Sequence, residues 1–154
     1  MPLCVIDDVN ELQRSIGREI GISDWLEVTQ PMIDAFAAVS RDSQWIHCDP
    51  QRAQAESPYG TTIAHGYLTL SLLSHLLGQT VRIRGDHTRA INYGLNRVRF
   101  PSPVSAGSRI RARVTPRSVE EIPGGVHLCW HVTVEVEGQD KPALVAESLV
   151  RLYR

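Results

Sequence analysis

A carboxylate and an imidazole lie five residues apart, at Asp42 and His47. If the segment between them were one continuous helix, the two side chains would point about 140° apart around its axis, because each residue turns ~100°. They can face one point only if the segment is irregular. Facing one water molecule, such a pair can act as acid and base, with one group removing a proton while the other delivers one. The alternative is a helix-capping Asp beside a half-buried His.

A second candidate is Gly66, which lies where a long apolar segment begins. The first N–H groups of a helix are free, and the helix dipole favours negative charge there. A glycine also lets a ligand approach the backbone closely. If a carbonyl group docks there, the Gly66 amide can stabilise its oxygen as negative charge develops. The alternative is that Gly66 only permits tight packing of the helix start.

Signals for the beginning of a helix flank the Asp42–His47 pair on both sides. Thr29 is a predicted N-cap, and Asp49 is another, followed by Pro50 in the first turn. Because one helix is predicted to end and another to begin around it, the segment Arg41–Cys48 is predicted to be irregular. Trp45 should help to anchor this segment through apolar contacts.

The rest of the chain predicts an α+β fold. A helix over His65–Leu77, apolar around most of its circumference, should be buried on most sides and end at Gly78. Alternating apolar residues in the second half predict strands that form an antiparallel sheet with one face toward the core. An earlier helix and a short strand are also predicted. The predicted segments are a helix at Val9–Ile20 stopped by Gly21, and strands at Trp25–Val28, Ile91–Phe100, Arg109–Val119, Val126–Glu137 and Ala143–Leu152. This pattern suggests a sheet wrapped around one helix.

With 154 residues, the chain has the length of one domain, and we predict a single domain over residues 1–154. Its 16 Lys and Arg against 17 Asp and Glu argue against a nucleic-acid-binding protein. No signal peptide is recognisable, and no apolar run approaches the roughly 20 residues that span a bilayer. The 3 cysteines are widely spaced, as is typical of reduced thiols. We therefore predict a cytoplasmic protein without a membrane segment. An uncovered sheet edge invites pairing, so we also expect a homodimer.

Three segments together resemble the MaoC-like dehydratase family, and within it the NodN-like, (R)-specific enoyl-CoA hydratase subgroup. The first two are Asp42-Ser43-Gln44-Trp45-Ile46-His47 and Ile63-Ala64-His65-Gly66-Tyr67-Leu68-Thr69-Leu70. The third is Asn92-Tyr93-Gly94-Leu95-Asn96-Arg97-Val98-Arg99-Phe100-Pro101. The similarity extends over nearly the whole chain, and the three segments together are far more specific than any one alone.

This resemblance implies a hot-dog fold, a homodimer, and syn hydration of a trans-2-enoyl-CoA to an (R)-3-hydroxyacyl-CoA, or the reverse dehydration. It assigns catalysis to Asp42 and His47, a supporting role to Gln44, and oxyanion stabilisation to the Gly66 amide. No metal or other cofactor is expected, because the thioester already polarises the alkene. One position departs from the family, which usually has Gly immediately before the catalytic Asp, where this chain has Arg41. An arginine there could lower the pKa of the aspartate or reshape the loop.

Two other functions are compatible with these residues. An acyl-CoA thioesterase on the same fold would use the same carbonyl site, but water would attack the carbonyl carbon and free thiol would be released. A non-catalytic acyl-thioester-binding protein would bind the ligand without turnover. His65 and His75 are expected to form hydrogen bonds in the core or at an interface rather than to act in catalysis. Arginines on the predicted strands, among them Arg109, Arg111 and Arg113, could meet CoA phosphates, with a solvated surface as the alternative.

Overall fold

The computed structural model describes residues 2–154. Its helices are α1 (Val9–Arg14), α2 (Gln30–Ser40), α3 (Trp45–Cys48), α4 (Pro50–Glu56), α5 (Gly66–Ser71) and α6 (Leu73–Thr80). Its strands are β1 (Cys4–Ile6), β2 (Gly21–Ile22), β3 (Leu26–Glu27), β4 (Val81–Ile83), β5 (Arg89–Arg99), β6 (Arg109–Ile122), β7 (Gly125–Val136) and β8 (Leu144–Tyr153).

Six of the strands form one antiparallel sheet in the order β2-β6-β7-β8-β5, with β3 also paired to β6. A separate pair, β1 and β4, is parallel and was not predicted from the sequence. Strand β5 lies at one end of the sheet order and pairs with β8 alone. The four long strands predicted in the second half are all present.

The core lies between the inner face of this sheet and helices α5 and α6. In β7, alternate residues such as Leu128 and Val132 are buried, while the residues between them are mostly half-buried on the outer face. Leu68, Leu73 and Leu76 approach from the helices and belong to the same apolar cluster. The predicted α+β class is therefore confirmed, as is the hot-dog arrangement of a sheet wrapped around a central helix.

The central helix differs in three ways from the prediction over His65–Leu77. It begins at Gly66 with His65 as N-cap, it is interrupted at Leu72, and it continues to Thr80. Gly78 therefore lies inside α6 and does not end it. A glycine inside a helix costs only about 1 kcal/mol, which packing of the adjacent turns can offset.

Burial of the central helix is also less complete than predicted. Leu76 is fully buried, but Tyr67 is 70% exposed and His75 is exposed. A groove lies between the helix and β5, on the side away from the centre of the sheet. The described chain leaves this groove open. Leu70, Leu72 and Leu77 pack against the core but are only partly buried, so the leucine-rich pattern does not mark a helix that this chain buries on most sides.

The first helix is shorter than the predicted Val9–Ile20. Asp8 caps its start by accepting a hydrogen bond from the Glu11 N–H, and the helix ends at Arg14. Gly17 follows with a φ of +81°, a left-handed conformation that a glycine adopts without a Cβ clash. The chain therefore leaves the helix before Gly21, which instead begins β2. Within residues 2–154, no helix combines the length and apolarity required to cross a membrane.

Candidate active site

The loop that carries Asp42 begins with a left-handed residue. Helix α2 starts at the predicted N-cap Thr29 and ends at Arg41, whose φ of 63° and ψ of 22° lie in the left-handed region. Glycine is the residue that enters this region most easily. The glycine that the family resemblance leads us to expect in place of Arg41 would adopt this conformation without a Cβ clash. The arginine adopts the same cap at a cost of roughly 1–2 kcal/mol.

The prediction of an irregular segment over Arg41–Cys48 is right for its first half and wrong for its second. Residues 41–44 are irregular, whereas Trp45–Cys48 form the helical turn α3. A new helix then begins after the predicted N-cap Asp49, which accepts a hydrogen bond from the Arg52 N–H. Because only the second half is helical, the 140° separation of a continuous helix does not apply. Asp42 and His47 can therefore converge.

The imidazole of His47 is buried, with 8% of its surface exposed. Its Nδ1 lies 2.6 Å from the carbonyl oxygen of Ile63. A carbonyl can only accept, so Nδ1 carries the proton and Nε2 presents a lone pair. Burial is the main cause that lowers the pKa of His47, and the nearby His65 lowers it further. The Ile63 carbonyl and the Asp42 carboxylate act in the opposite direction. On balance the pKa is lowered, so the ring is neutral near pH 7 and can accept a proton.

Asp42 is exposed and lies beside this imidazole. Its Oδ1 accepts a long hydrogen bond, 3.4 Å, from the Gln44 N–H. Its main-chain oxygen accepts a hydrogen bond of 2.9 Å from Nε2 of His65. One side-chain atom from each of Asp42, His47 and His65 lies within 4.8 Å of the others. The structure thus brings together the two residues predicted to be catalytic and adds a second histidine.

These three residues could also be considered as metal ligands. However, the rings of His47 and His65 stack, with centroids 3.8 Å apart and planes inclined by 24°. An imidazole binds a metal through a lone pair in the plane of its ring, at about 2.0–2.1 Å for zinc. An ion placed in the plane of one stacked ring lies well out of the plane of the other. The arrangement therefore suits proton transfer better than a shared metal ion.

Gln44 supports the site through its backbone. It precedes α3 as N-cap, and its side chain is exposed and forms no capping hydrogen bond. Its N–H is the group that bonds to Asp42. A side-chain role for Gln44 stays a prediction.

Gly66 lies at the first position of α5, beside a cavity of about 280 Å³ that His47, Thr69 and Phe100 also line. Within residues 2–154, the Gly66 N–H donates to no protein acceptor. A Cβ at this position would lie 3.2–3.3 Å from the ring of Phe100. Tight packing against Phe100 explains a glycine here equally well as the close approach of a ligand would. The geometry is compatible with both roles.

A hydrogen-bonded clamp that the sequence did not indicate holds the site in place. Nε2 of Gln30 donates to the main-chain oxygen of His47 and to Asp34, both at 2.8 Å. The hydroxyl of Thr62, which is 1% exposed, donates to Oε1 of Gln30. The Ile63 N–H also donates to the oxygen of Ile46, at 3.0 Å. Gln30 of α2 thus holds the main chain of His47 and the side chain of Thr62, which directly precedes Ile63. A glutamine in the first turn of a helix gives no signal of such a role.

The arginines of β6 are engaged on the outer face of the sheet. Arg109 pairs with Glu137, Arg111 pairs with Glu135, and Arg113 bonds to both Glu19 and Glu135. Their charges are therefore compensated within the chain. Of the two readings of these arginines, the solvated surface is the better supported.

Comparison with known proteins gives these residues a family context. Residues 11–137 match the family model of the MaoC like domain. The 3-hydroxyacyl-thioester dehydratase Z of Mycobacterium tuberculosis is 50% identical over 146 residues, which are 94% of this chain and 95% of that protein. Nodulation protein N of Rhizobium leguminosarum bv. viciae is 48% identical over 133 residues, 85% of this chain and 82% of that protein.

A solved structure, the (R)-hydratase from A. caviae involved in PHA biosynthesis, superposes with a TM-score of 0.65 at 28% identity, covering 88% of this chain and 98% of that one. The predicted subgroup agrees with these relatives, and the predicted enzyme class, a hydro-lyase, agrees with their names. The chain belongs to the MaoC-like dehydratase family.

Proposed function

We propose that this protein catalyses the (R)-specific hydration of trans-2-enoyl-CoA to (R)-3-hydroxyacyl-CoA, or the reverse dehydration, through Asp42 and His47. The observation that carries the proposal is the convergence of an exposed carboxylate on a buried imidazole whose free nitrogen is Nε2. The names of the relatives, a 3-hydroxyacyl-thioester dehydratase and an (R)-hydratase, support the same reaction class.

The proposed mechanism uses one water molecule held between the two side chains. Nε2 of His47 takes a proton from the water as the oxygen attacks the β-carbon, and Asp42 accepts a hydrogen bond from the same water. His47 then delivers this proton from Nε2 to the α-carbon on the same face, so that one water supplies both the hydroxyl group and the new C–H hydrogen. The Gly66 N–H donates to the thioester oxygen while negative charge develops on it. The thioester polarises the alkene, so the proposal requires no metal or other cofactor.

A homodimer completes the proposal. Strand β5 is the edge that pairs with β8 alone, and Ile91, Tyr93 and Leu95 on it are 47%, 54% and 42% exposed. An edge strand with apolar side chains invites pairing with a second chain. The adjoining groove of about 330 Å³, lined by Leu70 and Leu77 together with serines and Asn92, would be closed by the second copy.

The test is a spectrophotometric panel of trans-2-enoyl-CoAs of increasing chain length, with the chirality of the product determined. Loss of the enoyl absorbance and an (R)-product support the proposal. We expect Asp42→Asn and His47→Gln each to lower kcat by about 1,000-fold or more, since the first removes the carboxylate that holds the water and the second removes the group that transfers its proton. Asp140→Asn and His75→Gln change exposed residues outside the site and serve as matched controls. Wild-type rates in both site variants would contradict the dyad assignment.

Release of free thiol would indicate a thioesterase, and binding without either product would indicate a non-catalytic protein.

A further inference from the structure

His65 touches both members of the proposed dyad. Its Nε2 lies 2.9 Å from the main-chain oxygen of Asp42, and its ring stacks on that of His47 with the centroids 3.8 Å apart. The ring also packs against Phe36, at 5.0 Å between centroids. His65 is also the N-cap residue of α5, directly before Gly66. One side chain therefore connects the carboxylate loop, the imidazole and the start of the central helix.

A histidine is a costly way to fill this position. Only 4% of His65 is exposed, and its Nδ1 has no hydrogen-bond partner within the described residues. Burial of an unpaired polar atom opposes folding, and a phenylalanine of similar shape would avoid that cost. Simple space filling therefore does not explain this histidine. The hydrogen bond of its other nitrogen to the Asp42 carbonyl does.

We propose that His65 is a positioning residue of the dyad, which rests on the function proposed above. Its Nε2–H holds the main chain of Asp42, and its ring supports the imidazole of His47 from behind. Because the main chain of residues 41–44 is irregular and its side chains are exposed, few other contacts fix where the Asp42 carboxylate points. Without the bond from His65, the distance between carboxylate and imidazole would vary.

The proposed role also requires a defined tautomer. The Asp42 carbonyl can only accept, so the proton of His65 must be on Nε2, and the opposite assignment holds for His47, which donates from Nδ1 to Ile63. Each ring then donates one hydrogen bond to a main-chain oxygen, from Nδ1 in His47 and from Nε2 in His65.

The first test does not depend on turnover. Long-range ¹H–¹⁵N NMR of ¹⁵N-histidine-labelled wild-type protein reports which nitrogen of each ring is protonated, with the His65→Gln spectrum used for assignment. We expect the Nε2–H tautomer for His65 and the Nδ1–H tautomer for His47 at pH 7.5. A His65 ring protonated on Nδ1 alone, or one that exchanges freely between tautomers, would overturn the proposal. Because no substrate is present, this result stands even if the protein does not hydrate enoyl-CoA.

The second test separates the hydrogen bond from the packing. His65→Gln retains an N–H donor that can reach the Asp42 carbonyl, whereas His65→Phe retains the volume and the stacking surface. We expect His65→Phe to lower kcat by about 100-fold, the order of effect of a misplaced catalytic group, with KM changed less than about twofold. His65→Gln should retain at least about tenfold more kcat than His65→Phe, and His75→Phe, on the exposed side of α6, should match wild type.

Equal kcat for the Gln and Phe variants, or a Phe variant close to wild type, would show that His65 only fills space. Thermal unfolding of each variant identifies any that fail to fold, and for those the tautomer measurement on wild-type protein decides the proposal. Absence of hydration by wild-type protein would refute the proposed function instead.

Discussion

Two polar regions of this protein use their side chains in opposite ways. Around the candidate site, His47, His65 and Thr62 are buried, and each forms a hydrogen bond that fixes one position relative to another. On the outer face of the sheet, Arg113 forms ion pairs with Glu19 and Glu135, while about a third of each side chain remains exposed. The comparison teaches that the number of polar contacts is a poor guide to their importance. A polar contact contributes more to the free energy of unfolding when it is buried, because water cannot replace a lost partner there.

The largest effect of the predictions below is expected at Gly66. Gly66→Ala places a methyl group beside the amide that is proposed to bind the thioester oxygen, so we expect kcat/KM to fall by about 100-fold. The methyl group would also press on Phe100, at 3.2 Å. Steady-state kinetics of Gly66→Ala/Phe100→Leu separates the two causes. The double variant should remain impaired if the amide binds substrate, and recovery to the rate of Phe100→Leu would mean that the glycine serves packing alone.

The next effect is expected at the clamp. Gln30→Leu leaves the oxygen of His47 and the hydroxyl of Thr62 without their partner, so the free energy of unfolding should fall by about 1–3 kcal/mol. Because the clamp positions His47, kcat should fall as well, by about tenfold. Urea denaturation and steady-state kinetics measure the two effects. Gln139→Leu, on an exposed turn, is the control and should change neither. A stable and fully active Gln30→Leu would contradict the idea that buried bonds set the geometry here.

Proton binding gives a third, smaller test. Burial lowers the pKa of His47 in the folded protein below the ordinary 6.5. At pH values between the lowered pKa of the folded protein and 6.5, this histidine binds more protons in the unfolded chain than in the folded protein. The free energy of unfolding should therefore decrease as the pH falls through this window. Above pH 6.5 both states are neutral at this group and the contribution is fully present. Urea denaturation over roughly pH 5 to 8 should show a weaker pH dependence for His47→Gln than for wild type. Identical profiles would mean that His47 is not desolvated.

The smallest effect is expected on the outer face. Arg113→Gln removes ion pairs with Glu19 and Glu135, yet the free energy of unfolding should change by less than about 1 kcal/mol, because partly exposed pairs are screened by solvent. The kcat value should be unchanged. Denaturation at low and high salt provides the check. A loss as large as that of Gln30→Leu would remove the contrast between the two regions.

The sequence predicted those parts of the molecule that depend on local pattern. Thr29 and Asp49 cap helices as expected, the long strands follow their alternating apolar residues, and Asp42 and His47 lie together. Helix ends were less predictable. Gly17, not Gly21, follows the first helix, and Gly78 does not end the last one, because a glycine signals a stop only where the backbone takes a positive φ.

The contacts made by Gln30 and His65 could not be predicted from sequence. Their hydrogen bonds join residues 17 to 32 positions apart in the chain, and they depend on how helices and loops pack together. A pattern of residue types does not predict which main-chain oxygen a buried side chain will bond to. Even for the proposed dyad, the reason for convergence differs from the prediction, since half of the segment is helical.

The short turn α3 contains a tryptophan as well as the histidine of the proposed dyad. Trp45 lies two residues before His47, with the guanidinium of Arg52 4.4 Å from its ring centroid. The other two tryptophans are far less suited to sense a ligand, because Trp130 is in the core and Trp25 stacks with Arg111 on the outer face. A protein with phenylalanine at positions 25 and 130 would therefore emit from a single indole next to the site. Its fluorescence would report, without any label, a change around α3 when a ligand binds at the proposed site.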